Sequence, residues 1–413
     1  MIGPGTLEQL RAASPYNIVG LTLPALDLDA RAAGQIAAAR LAEWLDDGVL
    51  AADGSPALYV YEQRGPGFVQ RGLIGLVRVG TTAIHAHEDV MPGPVAGRRE
   101  LMAAVHGNLE PILLVYNGGT GAETGAGGRG GAAGPAASAT SRLVDLTAGE
   151  RTPLACTVTD DGVTHRIWAL TDPAEQAEVA ADLAARTALI ADGHHRYAAY
   201  GELRASMRTA GQGDGPWDYG LAFLVDADAY PLRLGPIHRV IPHLDPAEAA
   251  SLAAQAFTVT ELPTTGSGPG FGPDQLADAL GRLADMGRHG TAFLLAGRGG
   301  LRLISHPDAG QLAEAMPSGA SPRWQALDAS VMQELLLARL WLIKDNERDV
   351  LISHDAAEAV RLAVETGGTA VLCNPMELAA VMELATHGER VPRKSTSFGP
   401  KPRTGLVLRT FDG

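Results

Sequence analysis

Five consecutive residues, Asp192, Gly193, His194, His195 and Arg196, combine side chains that bind and transfer phosphate. A guanidinium donates two parallel hydrogen bonds to phosphate oxygens, and a histidine donates a hydrogen bond or carries a proton. An aspartate holds Mg²⁺ or orients a nucleophile, and glycine adopts backbone conformations that other residues avoid. These residue types predict a phosphate-binding turn with His195 and Asp192 as catalytic groups and Asp192 as the metal ligand.

The sequence around this turn predicts how it is positioned. The apolar run TALIAD, typical of a strand, leads into the glycine, and the helical sequence RYAAYGELRASMR follows. A strand, a glycine turn and a helix N-terminus together direct backbone N–H groups and the positive end of the helix dipole at an anion. The adjacent histidines do not predict a shared metal, since neighbouring helix positions face different ways. The alternative is a polar strand end that serves only as a helix cap.

A second group of candidates lies near the C-terminus. The chain has 33 basic residues, and only Lys344, Lys394 and Lys401 are lysines. Two of the three lysines lie within eight residues of each other, beside Ser395 and Thr396. Because arginine and lysine are not interchangeable at phosphate sites, this clustering predicts a phosphate-binding segment that requires ammonium groups. The segment lacks the preceding glycines of a Walker loop. Chance clustering and a surface loop packed on a sheet edge are the alternatives.

Phosphoryl transfer also needs a base that positions the attacking hydroxyl group. We assign this role to Glu88, in the sequence His85-Ala-His87-Glu88, ahead of Asp192. His85 and His87 would share one face of a strand, which favours zinc as an alternative, although a third ligand is missing nearby. A solvated turn is the other alternative.

Five further residues are candidates for contacts with the substrate. Arg98, His238 and Arg239 offer donors for a phosphate, with structural ion pairs or helix caps as the alternatives. Tyr16 and Asn17 could line the substrate pocket, although an early strand often begins with such residues.

Alternating apolar and amphipathic stretches predict a mixed α/β fold. The segment 117–140 is nearly all Gly, Ala, Ser and Thr, which is typical of a mobile loop or linker. The predicted segments are an N-terminal α/β segment at 1–116, this loop at 117–140, a central unit at 141–262, a linker at 263–273 and a C-terminal α/β segment at 274–413. Strands are predicted at 17–23 and, within the central sheet, at 239–241, and a helix capped by Asp29 is predicted at 30–45.

The composition restricts the possible partners. The net charge of −14 opposes a nucleic-acid surface and favours a small anionic ligand at a local basic site. No run approaches the ~20 apolar residues of a membrane span. The N-terminal sequence lacks the pattern of a secretory signal. Two cysteines, Cys156 and Cys373, predict neither a disulfide framework nor a metal set, so we expect a reducing, cytoplasmic setting.

The segment GHHRYAAY is similar to the G-C-H-R-Y-A-A-Y segment of sulfiredoxins and, more loosely, to the Gly-x-x-Arg box of ParB-type nucleotide-binding domains. In that superfamily a His-Arg pair at the helix start holds nucleotide phosphates. The resemblance implies that His195 and Arg196 bind phosphate in a ParB/sulfiredoxin-like central unit. His194 stands at the position of the sulfiredoxin cysteine, so the repair of sulfinic acids is not implied.

A wider resemblance, to the bacterial and archaeal family called domain of unknown function 1015, covers nearly the whole chain. The matching motifs are PYN at 15–17, LYVYEQ at 58–63, IHAHEDVMPGP at 84–94, HRIW at 165–168, IADGHHRY at 190–197, PIHRV at 236–240 and PRKSTSFGPKPRTGLVL at 392–408. The Gly-rich stretch after Tyr116 departs from the family pattern.

Similarity to ParB-like free-serine kinases implies a phosphotransferase of serine metabolism. The expected reaction is phosphorylation of a hydroxyl amino acid, with free L-serine as the acceptor, by ATP, ADP or pyrophosphate with Mg²⁺. We expect the Lys394 segment to fold over the Gly193 turn and to complete one site. The alternatives are a ParB-like nucleotide-binding regulatory protein without kinase activity and a zinc-dependent hydrolase.

Overall fold

The computed structural model describes residues 4–25, 27–119, 138–263, 272–346 and 348–412. The chain is of the mixed α/β class, as the sequence predicts, and it forms two compact units. The first unit is Met1–Leu232 with Pro400–Gly413, and the second is Arg233–Gly399. Most of the predicted loop at 117–140 and of the predicted linker at 263–273 lies outside the described residues.

The strands and helices are numbered along the chain. The strands are β1 (Leu58–Gly65), β2 (Phe68–Arg78), β3 (Ile84–His85), β4 (Gly107–Asn108), β5 (Ile112–Tyr116), β6 (Ala155–Val158), β7 (Thr164–Leu170), β8 (Ala188–Asp192), β9 (Tyr219–Asp226), β10 (Arg233–Gly235), β11 (His238–Ile241), β12 (Thr258–Leu262), β13 (Ala292–Gly297), β14 (Gly300–Ser305), β15 (Leu351–Ser353), β16 (Thr369–Cys373), β17 (Ser397–Gly399) and β18 (Arg409–Thr410). The helices are α1 (Pro4–Ala13), α2 (Val19–Thr22), α3 (Ala30–Asp46), α4 (Pro92–Val105), α5 (Ala139–Glu150), α6 (Pro173–Ala184), α7 (His194–Thr209), α8 (Pro246–Ala253), α9 (Pro273–Gly287), α10 (Ala309–Ala315), α11 (Pro322–Gln325), α12 (Asp328–Ser330), α13 (Ala356–Thr366) and α14 (Leu378–Thr386), with a 3₁₀ turn at Pro216–Asp218 and a π-helix at Val331–Leu340.

The first unit is built on an eight-stranded sheet in the order β3-β8-β5-β9-β2-β1-β7-β6. β5 lies between two partners, antiparallel to β8 and parallel to β9. This sheet joins strands that precede residue 117 to strands that follow residue 140. The compact units therefore divide the chain differently from the predicted segments.

Packing on β5 and β8 fixes the start of α7. All five residues of β5 are buried, as expected for a continuous apolar run in the middle of a sheet. Ile112 on β5 and Ile190 on β8 share one buried cluster with Tyr200 of α7 and Met102 of α4. Each large apolar side chain buried in this way contributes about 1.5–3 kcal/mol. The end of β8 and the first turn of α7 are consequently held in one place.

Two helices, α2 and α3, form the first part of the chain after α1, and the sequence predicts only the second of them correctly. The run at 17–23, predicted as a strand, contains the short helix α2, and the Asn17 side chain accepts a hydrogen bond from the N–H of Val19. A short apolar run cannot be distinguished from a buried helical turn by its periodicity. The helix α3 is confirmed, and Asp29 caps it by accepting from the N–H groups of Arg31 and Ala32.

The second unit contains a six-stranded sheet in the order β12-β14-β13-β16-β11-β15 and a ribbon of β10 and β17. β11 belongs to this sheet, so the prediction that 239–241 completes the central sheet is wrong. The faces alternate along β13: Leu294 packs with α9 and α13, whereas Phe293 and Leu295 pack with α8 and the π-helix. Within the described ranges, no helix combines the length and apolar character required to cross a membrane.

The carboxyl group of Asp328, at the start of α12, makes the stability of the second unit depend on pH. Burial raises the pKa of Asp328 to about 6. The folded chain therefore holds a proton that the unfolded chain has released, and the free energy of unfolding falls as pH rises between about 4 and 6. We expect Asp328→Asn to raise the free energy of unfolding at pH 7.5 by about 1–3 kcal/mol and to flatten this dependence. Urea denaturation at pH 4.5 and 7.5 checks this, and an unchanged pH dependence would contradict it.

Candidate functional site

The turn between β8 and α7 has the backbone geometry of an anion site. Gly193 has a φ of 95°, in the left-handed region, and α7 begins at the next residue. A Cβ atom at Gly193 would lie 2.8 Å from Cγ2 of Ile112 and 3.2 Å from Nε of Arg196, so the space also requires glycine. The first turn of a helix has N–H groups without intrahelical acceptors, and Gly193 supplies no side-chain cap. The start of α7 is thus suited to an anion.

Gly193→Ala tests both constraints. The left-handed conformation costs a residue with a Cβ about 1–2 kcal/mol, and the contact with Ile112 adds to that cost. Gly162 is a matched control, because it has a φ of 75° and a Cβ atom added there would meet nothing within 4 Å. We expect Gly193→Ala to lower the free energy of unfolding by about 2–4 kcal/mol and Gly162→Ala by about 1–2 kcal/mol, as measured by urea denaturation. If the two variants lost equal free energy of unfolding, the close contact of a Cβ atom at position 193 with Ile112 would be contradicted.

Two cations contact the carboxylate of Asp192 at the end of β8. Nη2 of Arg196 lies 2.6 Å from Oδ2, and Nζ of Lys401 lies 2.6 Å from Oδ1. Lys401 belongs to the C-terminal segment that returns to the first unit. Its side chain is 59% exposed, whereas the side chain of Arg196 is 15% exposed. The two cations therefore differ in their surroundings: the Arg196 side chain is largely buried, whereas the Lys401 side chain is largely exposed to solvent.

Arg196 is anchored by two more groups, one of which sequence reasoning missed. Its Nη1 donates to the carbonyl oxygen of Pro111 at 2.6 Å and lies 3.2 Å from Oε2 of Glu110. The other oxygen of Glu110 accepts from Nη1 of Arg98 at 3.0 Å. Glu110 consequently joins Arg98 to the turn. Its only signal in the sequence is its position just before the apolar run of β5.

Both histidines of the turn accept hydrogen bonds from a neighbouring segment. Nε2 of His194 accepts from the N–H of His87 at 3.5 Å, and Nε2 of His195 accepts from the N–H of Met91 at 3.1 Å. The rings of His87 and His194 also meet edge to face, with centroids 4.5 Å apart. A neutral imidazole that accepts at Nε2 carries its proton on Nδ1. Any hydrogen bond from neutral His195 to a phosphate must therefore come from Nδ1.

These two hydrogen bonds tether the stretch that contains Glu88 to the start of α7. The side chain of Glu88 is 27% exposed, and Oε1 lies 4.0 Å from Nε2 of His87. His85 lies on β3, which pairs in parallel with β8. Among the described residues, no group of three or more His, Cys, Asp or Glu side chains is arranged to hold a metal.

The candidates for the substrate pocket at the N-terminus contact their own surroundings. Tyr16 is 48% exposed and meets the ring of Trp44 edge to face, with centroids 5.9 Å apart. The Asn17 side chain accepts from the N–H of Val19, the first residue of α2. Their contact with a substrate stays a prediction.

The remaining candidates lie in the second unit. His238 and Arg239 are 2% and 1% exposed. Nδ1 of His238 accepts from the N–H of Cys373 at 3.2 Å, and burial lowers the pKa of His238 to about 4, so this imidazole is neutral at pH 7. Lys394 is exposed and Ser395 is buried, and Thr396 follows them just before β17. A single site that includes both these residues and the Gly193 turn stays a prediction.

The family model described as "Protein of unknown function (DUF1015)" matches residues 1–126 and 132–330. The chain belongs to this family. No curated protein matches the sequence of this DUF1015 protein.

Several solved structures show weak similarity to this DUF1015 protein. They include a free serine kinase in complex with AMP, at 14% sequence identity, covering 79% of this chain and 87% of that chain, with a TM-score of 0.34. They also include SbnI with a C-terminal truncation from Staphylococcus aureus, at 10% identity, covering 80% and 84%, with a TM-score of 0.35. A conserved hypothetical protein from Pyrococcus furiosus matches at 13% identity, covering 82% and 96%, with a TM-score of 0.36. Similarity at this level does not establish the activity of this chain.

Proposed function

We propose that this protein transfers a phosphoryl group to the hydroxyl of a small amino acid, with free L-serine as the first candidate. The donor is ATP, ADP or pyrophosphate. The observation that carries the proposal is the convergence of Arg196 and Lys401 on Asp192 at the start of α7. Fixed cations and helix N–H groups stabilise the negative charge on a moving phosphoryl group and on its leaving group.

The two cations take different roles because their environments differ. Arg196 stays in place, held by the carbonyl oxygen of Pro111 and by Glu110, and presents a fixed charge. Lys401 is exposed, and a surface ion pair is worth only about 0–1 kcal/mol. A bound phosphate group can therefore attract the Lys401 ammonium away from Asp192 at little cost.

Glu88 supplies the base for the attacking hydroxyl. The hydroxyl oxygen forms a bond to the phosphorus atom while the bond from phosphorus to the leaving oxygen breaks. Glu88 accepts the hydroxyl proton, and the leaving group keeps the bonding electron pair. The hydrogen bonds that tether the His87–Met91 stretch to α7 support this role, because they hold the Glu88 backbone next to the anion-binding turn.

Asp192 fits the role of metal ligand under one condition. Oδ1 pairs with the exposed ammonium of Lys401, so this oxygen becomes available once Lys401 moves to a phosphate. One carboxylate together with substrate phosphates and waters is a usual ligand set for Mg²⁺. When bound, Mg²⁺ neutralises charge on the phosphate oxygens.

A screen of donors and acceptors tests the proposal. The purified full chain is incubated with Mg²⁺, with ATP, ADP or pyrophosphate, and with a pool of L-serine, L-threonine and L-homoserine. Mass spectrometry is expected to detect O-phosphoserine with one of the donors. If a donor binds but no amino acid is phosphorylated, the kinase proposal is wrong and the nucleotide-binding regulatory alternative is favoured.

A further inference from the structure

Arg239 is a fully buried cation whose donors are all used inside the second unit. Nε and Nη2 both lie 3.1 Å from Oδ2 of Asp345. Nη1 donates to the carbonyl oxygens of Ile237 at 3.3 Å and of Lys394 at 3.0 Å, and Nη2 donates to the carbonyl oxygen of Arg393 at 2.9 Å. A buried ion pair stabilises a protein little, because desolvation offsets its attraction. The hydrogen bonds of Arg239 have a different effect, because they fix the backbone carbonyl groups of two consecutive residues, Arg393 and Lys394.

The direction of these carbonyl groups determines where the neighbouring N–H groups point. In a trans peptide the N–H points away from the C=O of the same peptide unit. Because the carbonyls of Arg393 and Lys394 face the buried guanidinium, the N–H groups of Lys394 and Ser395 face the opposite way. Lys394 also has a φ of 54°, a left-handed conformation that is uncommon for residues other than glycine. Consecutive N–H groups around a left-handed residue form a concavity that binds anions.

The side chain of Lys394 adds charge to this concavity. It is exposed, and its ammonium makes no ion pair within the part of the chain that the structure describes. The Ser395 side chain, by contrast, is only 8% exposed, so the turn is anchored on its inner side. An ammonium without an ion pair, beside two N–H groups that point away from the buried guanidinium, is suited to an oxyanion.

We infer that Arg239 and Asp345 are positioning residues that build an anion site from the N–H groups of Lys394 and Ser395 and the ammonium of Lys394. The ligand is an oxyanion of the phosphate class, carried by pyrophosphate, a nucleotide or a phosphorylated amino acid. The inference rests on the proposed function and gives the second unit a phosphate-binding role of its own. Arg239 acts through the loop and touches no ligand.

The scarcity of lysine provides a direct test with the full chain. Labelling with ¹⁵N-lysine gives three backbone amide signals, from Lys344, Lys394 and Lys401. The labelled protein is titrated separately with pyrophosphate, ADP and O-phosphoserine, and with sodium chloride at matched ionic strength. We expect the Lys394 signal to shift saturably with at least one of the three anions and not with sodium chloride. The anion that saturates the shift at the lowest concentration identifies the source of the phosphate group.

Variants separate positioning from general stability. Arg239→Lys keeps the positive charge but loses the planar fork of donors. We therefore expect the affinity for the anion, measured from the shift of the Lys394 amide signal, to fall at least 10-fold. The shift of the Lys401 amide signal should be unchanged. Arg302→Lys, in the same sheet and paired with the exposed Glu261, is the matched control and should leave the affinity unchanged. Thermal unfolding confirms that each variant is folded, and Asp345→Asn replaces Arg239→Lys if the latter fails to fold.

Two results would overturn the inference: a Lys394 signal that no anion shifts, or a folded Arg239→Lys variant that binds as tightly as the original chain. The outcomes also separate this inference from the proposed function. A shift at Lys401 alone, with O-phosphoserine formed, refutes only the inference. A saturable shift at Lys394 without any phosphorylated amino acid refutes only the proposed function.

Discussion

Lys401→Met is expected to lower the rate of phosphoryl transfer by about 100-fold or more, because it removes a cation that stabilises the transition state. Methionine retains much of the side-chain length and loses only the ammonium. Since Lys401 is 59% exposed, we expect the free energy of unfolding to change by less than about 1 kcal/mol. Steady-state rates with the donor identified by the screen, together with urea denaturation, measure both effects.

Lys344→Met is the matched control, because it makes the same substitution at an exposed lysine outside the first unit. It should leave the rate within about twofold of the original. A Lys401→Met variant that retains near-normal turnover would show that the ammonium takes no part in transfer, and the role of Lys401 would then be limited to its ion pair with Asp192.

Arg196→Ala is expected to abolish phosphoryl transfer, with a loss of about 1,000-fold or more, and also to destabilise the fold. Its removal leaves the carboxylates of Asp192 and Glu110 and the carbonyl oxygen of Pro111 without a partner they now share. Asp192 keeps its pair with Lys401 and Glu110 keeps its pair with Arg98, so the loss of the shared, partly buried guanidinium costs about 2–4 kcal/mol. The effect on stability is a consequence of the observed geometry that the sequence alone does not indicate.

Arg98→Ala separates the two effects of Arg196. Arg98 shares Glu110 with Arg196 but makes no contact with Asp192 among its ion pairs in the described ranges. We expect a loss of stability of about 1–2 kcal/mol and a loss of rate well below that of Arg196→Ala. If both variants lose rate in proportion to their loss of stability, Arg196 is a structural residue and not a phosphate ligand.

The local geometry of the turn follows from the sequence, because it depends on contiguous residues. An apolar run, a glycine and a helical stretch predict β8, the left-handed Gly193 and α7, and the structure contains all three. The contact of Lys401 with Asp192 is a different case. The sequence identifies both residues as candidates, but only the return of the C-terminal segment to the first unit joins them.

The order of the strands explains why other parts of the site were missed. β5 lies between β8 and β9, which are far from it along the chain, and this order places Glu110 beside Arg196. Local periodicity contains no information about such long-range pairing. The same reason applies to β11: its residues read as a strand, yet the sequence does not say which sheet it joins. The contacts of Arg239 with Arg393 and Lys394 depend on that sheet.

Real-time ³¹P NMR of the full chain with L-serine, Mg²⁺ and each donor tests the central claim most directly. We expect a phosphate monoester signal, identified as O-phosphoserine by addition of the standard, to grow as the donor signal declines. This growth should require serine and should be about 100-fold or more slower in Lys401→Met. A donor that persists, or that is hydrolysed to inorganic phosphate at the same rate with and without an amino acid, would contradict the claim.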